Sequence, residues 1–395
     1  LVEDAMSGKG IVRRRTDETA FVKGKTIAAT PGEVVFQNEL FQLIQYRPTT
    51  AKVAEAPLLY VPPLVNRYYM IDLAPDQSLV KWLVDEGRTV FVISWVNPGP
   101  EHKDKGVEDY VVDGIIAAID EVKRRTKTAP DLFAFCLGGT LVAIALAWLA
   151  AEGRGKDAHS ATLIGSLVDF ADMRDWSAFV HEGHLDALDD HLEQAGYIDS
   201  VELQRLFAAM RANDLIWSSV VQHYLLDKPA PPSDLLTWFE DGARIPAAFL
   251  KSYNRDLLLN NSLKEPAGFA VRGTPIDLAK IEVPMLVIAL KDDHVSAWEA
   301  VYRGARDLRA DFILGGSGHN AGVINPPSRN KHGYWTSLAR PESAEKWLAG
   351  ADRHEGSWWP LWTGWLDGHG GGKTVPARAI KDGIEPAPGT YVMMQ

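Results

Sequence analysis

The feature that most constrains the fold is the setting of Cys136, the single cysteine among the 395 residues. An apolar, strand-like run, Asp131–Phe135, leads into it, a Gly-Gly turn follows at 138–139, and an apolar helix pattern covers 141–151. A sharp turn between a strand and a helix displays a nucleophile at the edge of a parallel sheet. The pattern therefore predicts a reactive thiol. The alternative is a structural cysteine, since free cysteines are among the most buried residue types.

Short apolar segments alternate with helical segments on both sides of this turn. Helices are predicted at 77–87 and 107–125, and strands at 57–62, 89–95, 131–135, 161–165, 283–290 and 310–314. This alternation predicts a mostly parallel central sheet with helices on both faces. The fold class is α/β, and the placement of Cys136 predicts an α/β-hydrolase fold.

The α/β alternation stops near residue 169 and resumes at 283. We predict that 169–253 is a helical cap above the strand ends, inserted in a catalytic domain that covers 51–395. Residues 1–50 are charged and mixed, include three consecutive arginines at 13–15, and show little periodicity. Because the chain begins with Leu1, we predict that 1–50 is the tail of a longer N-terminal region that is missing.

The bulk composition excludes several classes of protein. The formal net charge is −11, whereas a nucleic-acid binder needs a basic face to neutralise phosphates. The longest apolar run, 141–151, is too short to span a bilayer. A single cysteine excludes a disulfide framework and suits a reducing cytosol. We therefore predict a cytoplasmic globular protein that binds no nucleic acid and has no transmembrane segment.

Two later loops carry an acid and a histidine. The loop 291–294, Lys-Asp-Asp-His, follows one predicted strand, and His319 follows the next. Nucleophile, acid and histidine thus occur in the order that α/β hydrolases use, each after a predicted strand. The spacing predicts a triad of Cys136, His319 and either Asp292 or Asp293.

These residue types suit acyl transfer. His319 would take the proton of the Cys136 thiol, because the thiolate is the nucleophilic form, and the acid would orient the imidazole. Two backbone N–H groups would hold the oxyanion of the tetrahedral intermediate. We expect them to belong to Leu137, directly after the nucleophile, and to Val65, after the first predicted strand.

Six segments carry a resemblance to a known family, and as a set they are highly specific. They are YVPPLVNRYYMIDL at 60–73, FCLGGT at 135–140, NDLIW at 213–217, DDH at 292–294, GHNAGVINPP at 318–327 and GSWWP at 356–360. The chain resembles the polyhydroxyalkanoate synthases, most closely the class I enzymes, from about residue 25 onward. The resemblance implies catalytic roles for Cys136, Asp293 and His319. It selects Asp293 over Asp292, because the family acid directly precedes a histidine, here His294.

The resemblance also implies a reaction. The enzyme would polymerise an (R)-3-hydroxyacyl-CoA, most simply (R)-3-hydroxybutyryl-CoA, into a polyester through an acyl-cysteine. Coenzyme A would be part of the substrate, and no metal ion or organic cofactor would be needed. A homodimer working at the surface of cytoplasmic polyester granules is expected. The alternatives are a thioesterase or depolymerase-like hydrolase with the same triad, and a non-catalytic protein that coats granules.

Five further positions bear on the turn or on substrate binding. Ala134 stands where the family usually has glycine, and we expect a slightly shifted turn that still forms. Asn320 replaces a side chain that is often apolar in relatives, which leaves substrate preference open. Asn320 and His294 are candidates for substrate binding. Arg255 and Lys251 are candidates for binding CoA phosphates, with solvated surface charge as the alternative.

Two other clusters have structural explanations. A group of histidines and acids at 181–191 lacks the spacing of a zinc-binding helix, and we predict no metal site. Four tryptophans lie at 356–365. We expect an aromatic-rich helix that docks on the core, the alternative being an apolar patch that faces product or a partner subunit.

Overall fold

The computed structural model describes residues 16, 17, 19–210 and 212–395, so the arginines at 13–15 lie outside the described residues. The strands are β1 Gly32–Gln37, β2 Phe41–Tyr46, β3 Lys52–Ala54, β4 Leu58–Val61, β5 Val90–Trp95, β6 Asp131–Phe135, β7 Ser160–Ile164, β8 Tyr197–Ile198, β9 Ile245–Pro246, β10 Phe269–Val271, β11 Thr274–Ile276, β12 Met285–Leu290, β13 Asp311–Gly315, β14 Tyr334–Thr336, β15 Asp352–His354, β16 Thr374–Pro376 and β17 Glu385–Pro386.

The α-helices are α1 Leu79–Asp85, α2 Val107–Asp109, α3 Ala117–Thr126, α4 Leu137–Ala151, α5 Glu182–Ala195, α6 Ser200–Met210, α7 Asp234–Glu240, α8 Ala247–Ser252, α9 Trp298–Asp307, α10 Ala344–Ala349 and α11 Trp359–Gly370. Four segments are π-helical: Tyr110–Ile116, Asn213–Trp217, Val220–Leu225 and Tyr253–Leu259. The helix predicted at 107–125 is therefore α2, a π-helical segment and α3 in succession. No helix in the described part of the chain is long and apolar enough to cross a membrane.

A sheet of eleven strands forms the centre of the described structure, in the order β15-β14-β13-β12-β7-β6-β4-β5-β2-β1-β17. Its middle strands, from β13 to β5, run parallel, and the outer strands are antiparallel. The predicted mostly parallel sheet is confirmed, and with the nucleophile turn after β6 it is the α/β-hydrolase arrangement. The strands β1 and β2 belong to this same sheet, so residues 32–46 fold with the catalytic domain.

The parallel strands are buried on both faces, which explains their unbroken apolar sequences. Successive side chains of β6 point to opposite faces, since Leu132 belongs to one buried cluster and Phe133 to the other. Helix α4 covers the first face. The tryptophan-rich segment covers the second face, where Trp358, Trp359 and Trp362 are fully buried. The expectation of an aromatic helix docked on the core is confirmed for these three tryptophans.

The chain between β7 and β12 forms a helical insertion at the carboxyl ends of the strands. The part above Cys136 holds α5 to α8, three of the π-helical segments and the two-stranded pair β8–β9. The pair β10–β11 instead packs on α4, and Thr274 of β11 donates to Glu152 at the end of α4 remote from Cys136. The π-helical segment Tyr253–Leu259 continues past the predicted end of the cap at 253. Many cap side chains, including Leu203 and Phe249, join the same buried cluster as α4. The cap is thus packed directly over the edge of the sheet where Cys136 lies.

Candidate active site

Cys136 lies between β6 and α4 in a backbone conformation that few L-residues adopt, with φ 53° and ψ −128°. Its N–H donates to the carbonyl of Ile164 on the neighbouring strand at 2.9 Å, and its carbonyl accepts from the N–H of Gly139 at 2.9 Å. Positive φ at a non-glycine residue costs free energy and persists where the surroundings fix it. Here the strained backbone conformation places the thiol at the end of the sheet, where it is partly exposed.

Two glycines allow the turn to pack closely on its neighbours. A Cβ atom on Gly138 would lie 2.4 Å from the carbonyl oxygen of Val61, and one on Gly139 would lie 2.0 Å from Oγ of Ser166. Helix α4 therefore begins against the loop after β4 because no side chain separates them. Ala134, in the preceding strand, is fully buried and keeps its register with both neighbouring strands.

The histidine and one of the two candidate acids form a buried pair beside the thiol. Nδ1 of His319 lies 2.6 Å from Oδ2 of Asp293. The imidazole and the thiol of Cys136 line the same cavity, and the imidazole ring packs on Phe135 with centroids 4.6 Å apart. The structure thus brings Cys136, His319 and Asp293 together, while the neighbouring Asp292 lines the cavity in front of them.

The electrostatics of the pair favour a charged imidazole. Burial lowers the pKa of His319, but the negative charges of Asp293 and Cys136, with the hydrogen bonds to both, outweigh burial and raise the pKa to about 10. Such a histidine is protonated at neutral pH and can stabilise negative charge that forms on a neighbouring atom. The arrangement therefore places a proton donor next to the sulfur of Cys136.

The two residues predicted to supply the oxyanion donors line a cavity together with Cys136. Leu137 is the first residue of α4, where backbone N–H groups have no partner within the helix. Val65 lies in the loop after β4 and lines the same two cavities as Cys136. Its carbonyl accepts the N–H of Ala243 at 3.1 Å, so a residue of the cap holds this loop in place.

Two cavities meet at Cys136. The first, here called the cap cavity, has a volume of about 180 Å³ and is lined almost entirely by apolar side chains of the cap, among them Phe170, Trp176 and Phe249. The second, here called the histidine cavity, has a volume of about 450 Å³ and contains His319 with several polar groups. The thiol is thus reached from an apolar cavity and from a cavity that combines apolar side chains with polar groups.

Comparison with known proteins gives the family. Residues 1–83 match the model described as the N-terminus of poly-beta-hydroxybutyrate polymerase. The poly(3-hydroxyalkanoate) polymerase subunit of Cupriavidus necator is 43% identical over 99% of this chain and 68% of the relative. The poly(3-hydroxyalkanoate) polymerase of Methylorubrum extorquens is 42% identical over 100% of this chain and 66% of the relative. The chain belongs to the poly(3-hydroxyalkanoate) polymerase family.

Members of this family are enzymes, and the chain spans about two thirds of the length of these two relatives. The resemblance drawn from the sequence motifs is therefore confirmed. Among solved structures, a monoacylglycerol lipase of Paleococcus ferrophilus aligns with 72% of this chain and 96% of its own, at 15% identity and a TM-score of 0.42. The assignment of the fold here rests on the strand order and the turn at Cys136.

The structure separates the four residues predicted to bind substrate or CoA into two pairs. His294 and Asn320 line the histidine cavity, where a substrate could contact them. Arg255 donates to Asp189 at 2.7 Å and to Asp186 at 2.6 Å. Lys251 pairs in the same way with a glutamate of α5. Neither cation is among the residues that line the two cavities, and their role in binding CoA phosphates stays a prediction.

The histidine and acid group at 181–191 lies in and just before α5. In the described part of the chain, no three or more His, Cys, Asp or Glu side chains are grouped so that they could hold a metal ion. Asp189 instead binds Arg255, and His191 pairs with Glu202 at 3.4 Å. The group thus contributes contacts within the cap.

Two tryptophans support the site in a way that the sequence reasoning missed. The indole N–H of Trp358 donates to the carbonyl of Gly322 at 2.9 Å, and that of Trp359 donates to the carbonyl of Val323 at 3.0 Å. Both acceptors belong to the loop that carries His319. The GSWWP motif contributes to the family resemblance, but its sequence gives no sign that it anchors the loop that carries His319.

Proposed function

We propose that this chain polymerises (R)-3-hydroxyacyl-CoA, with (R)-3-hydroxybutyryl-CoA as the natural first substrate, into a polyhydroxyalkanoate polyester and releases CoA. The observation that carries the proposal is a thiol on a strand-to-helix turn that shares a cavity with a buried histidine–aspartate pair. It occurs in a chain whose relatives are named poly(3-hydroxyalkanoate) polymerases.

In the first step the thiolate of Cys136 attacks the carbonyl carbon of the thioester. The bond from carbon to Sγ forms, the bond from carbon to the CoA sulfur breaks, and the CoA sulfur leaves with the proton of His319. One thioester replaces another, so the step is nearly balanced. The N–H groups of Leu137 and Val65 would stabilise the oxyanion that forms in between.

In the second step the 3-hydroxyl of another hydroxyacyl unit attacks the acyl-cysteine. The new carbon–oxygen bond makes the ester, the bond to Sγ breaks, and the hydroxyl proton passes to His319, which restores the thiolate and the protonated imidazole of the first step. Asp293 keeps the imidazole oriented and stabilises its positive charge. His294 and Asn320, in the histidine cavity, are suited to bind the polar parts of the incoming substrate.

Water must be excluded while the acyl-cysteine exists, because hydrolysis would end the chain. The cap serves this purpose, since it packs over Cys136 with an apolar lining. It must open to admit CoA thioesters and to release polymer. The thiolate, the imidazole and the two N–H groups supply every group that these steps use, so the proposal includes no metal ion or organic cofactor. A homodimer at the surface of cytoplasmic polyester granules completes it.

The rival is a hydrolase with the same triad, and product analysis separates the two. The purified chain is incubated with (R)-3-hydroxybutyryl-CoA while free thiol, free 3-hydroxybutyrate and insoluble polyester are measured in one reaction. Thiol release that matches ester-linked units supports the synthase. Thiol release that matches free acid would replace it with the hydrolase.

Two substitutions at Cys136 serve as controls. Cys136→Ala is expected to abolish CoA release while the far-ultraviolet circular dichroism spectrum stays unchanged. CoA release by this variant at the wild-type rate would remove the thiol from the mechanism. Cys136→Ser keeps the shape of the side chain and tests whether sulfur itself is needed. A granule-coating protein without activity would release no CoA in any of the three forms.

A further inference from the structure

The two cavities at Cys136 have different chemical characters. Among the side chains of the described residues, four line both: Val65, Cys136, Phe207 and Val295. Three of them belong to loops or the turn at the ends of the sheet strands. Phe207 belongs to α6 and is thus the contribution of the cap to the boundary between the cavities.

The position of the imidazole assigns the two sides of the thiol to different parts of the reaction. His319 lines the histidine cavity and does not line the cap cavity. Every group that exchanges a proton with it, whether the CoA sulfur or an attacking hydroxyl, must come within hydrogen-bond reach on that side. The acyl chain on Sγ would therefore occupy the apolar cap cavity.

Phe207 lies between the cap cavity, which would hold the acyl chain, and the histidine cavity, which would hold the groups that exchange protons with His319. Its ring packs edge-on against Trp176, with centroids 5.6 Å apart and planes at 76°, and Trp176 lines the cap cavity. This contact fixes the ring at the boundary rather than in solvent. A small side chain at this position would widen the opening between the cap cavity and the larger histidine cavity beyond the point where they meet at Cys136.

We propose that Phe207 is a specificity-determining residue that keeps the acyl thioester of Cys136 on the cap side and away from water in the histidine cavity. The inference rests on the proposed function and adds which residue decides the fate of the acyl-cysteine. In the competing step, the oxygen of water attacks the thioester carbonyl. The carbon–sulfur bond breaks, the free hydroxy acid leaves, and the proton of water passes to His319 beside the thiolate.

The test compares Phe207→Ala, Phe207→Leu and Leu206→Ala. Leu206 is the adjacent residue of α6, has similar partial burial and lines the cap cavity alone, so its variant removes apolar volume without touching the boundary. The readout is the ratio of free 3-hydroxybutyrate to ester-linked units formed from (R)-3-hydroxybutyryl-CoA. A merely structural loss in the cap would lower total CoA release and leave this ratio unchanged.

We expect Phe207→Ala to raise the ratio about tenfold, as readmitted water competes for the acyl-cysteine. Phe207→Leu should give a smaller rise, and Leu206→Ala none. A wild-type ratio in both Phe207 variants would overturn the inference, as would an equal rise in Leu206→Ala. If Phe207→Ala does not fold, Phe207→Leu decides alone.

A second measurement separates failure of this inference from failure of the proposed function. The hydrolysis rate of acyl-Cys136 is followed in a single turnover, in which no second acyl unit is present. The expected order is Phe207→Ala fastest, with Leu206→Ala closer to wild type because its side chain lies away from the boundary between the cavities. If the wild-type chain makes no polymer, the proposed function fails, whereas the order of these rates still supports or overturns the role of Phe207.

Discussion

The imidazole of His319 and the carboxylate of Asp293 are joined by a contact of 2.6 Å between Nδ1 and Oδ2. The other carboxylate oxygen accepts the backbone N–H groups of Val295 at 2.7 Å and Ser296 at 2.9 Å. Asp293 is 4% exposed and His319 is 7% exposed, so both are held in one orientation by protein groups. The loop after β12 thus fixes the acid, and the acid fixes the ring that faces Cys136.

Replacing the acid should disable the histidine while preserving the shape of the site. In Asp293→Asn the amide loses the charge and can donate to Nδ1, which favours the wrong tautomer. We expect CoA release to fall about 10³- to 10⁴-fold, as in other triads with this change. The matched control is Asp292→Asn, which changes the adjacent carboxylate and should retain activity within about tenfold, since one cavity-lining contact is altered. Equal losses in the two variants would remove Asp293 from its proposed role.

The raised pKa of His319 predicts how stability depends on pH. The pKa is about 10 in the folded chain and about 6.5 in an unfolded chain. The folded state therefore holds a proton that the unfolded state releases between these values. This contribution is complete below about pH 6.5 and is lost as pH rises towards 10. Because the thiol of Cys136 has a proton balance of its own, the comparison is made in the Cys136→Ala background, where Asp293 still raises the pKa of His319. Urea unfolding of Cys136→Ala and of Cys136→Ala/His319→Gln should show a stability difference that shrinks as pH rises above 6.5. A constant difference would contradict the charged imidazole.

The close packing at the turn predicts an obstruction that a second mutation can relieve. In Gly139→Ala the new methyl would meet Oγ of Ser166 at 2.0 Å and its Cβ at 2.6 Å, while the next atom, Cβ of Leu163, lies at 3.5 Å. We expect a loss of about 1–3 kcal/mol of unfolding free energy, typical of overpacking. The double variant with Ser166→Gly should recover most of that loss, because both obstructing atoms are gone.

Gly138 provides the contrast. A methyl there would meet backbone atoms, the carbonyl oxygen of Val61 at 2.4 Å and the carbonyl carbon of Pro62 at 2.9 Å. No side-chain substitution removes these atoms, so Gly138→Ala should stay destabilised in the Ser166→Gly background. Urea denaturation of Gly139→Ala and of Gly138→Ala, each with and without Ser166→Gly, measures the two losses and the rescue. Rescue of Gly138→Ala by Ser166→Gly would show that the turn adapts in some other way.

The sequence is sufficient to predict the central sheet, because fully buried parallel strands are uninterrupted apolar runs. It was sufficient to nominate Cys136 and His319 because each follows such a strand. It was less informative where partners are distant in sequence. Arg255 finds its carboxylates in α5, more than 60 residues earlier, and no local pattern identifies such a pairing. The position of Phe207 at the boundary likewise depends on how the cap folds over the sheet. An amphipathic helix pattern in the sequence does not show this placement.

The two ends of the cap are tied together at its base, which predicts how the cap opens. Asn261 accepts the N–H of Phe170 at 2.9 Å and donates to Oδ1 of Asp169 at 2.9 Å. It does so with a φ of 49°. In Asn261→Gly the backbone conformation remains accessible and the two hydrogen bonds are lost, so we expect a loss of about 1–3 kcal/mol. Amide hydrogen exchange should quicken in α5 and α6 more than in β6 and β12.

The matched control is Asn330→Gly, since Asn330 also has a positive φ, of 46°, and lies at the end of a turn outside the cap. It reports the intrinsic effect of glycine at such a position, and it should leave exchange in the cap at the wild-type rate. If Asn261→Gly quickens exchange equally in the cap and the sheet, the tie stabilises the whole fold. If exchange in the cap alone responds, the tie between residues 169–170 and 261 sets the free energy of cap opening, on which substrate entry depends.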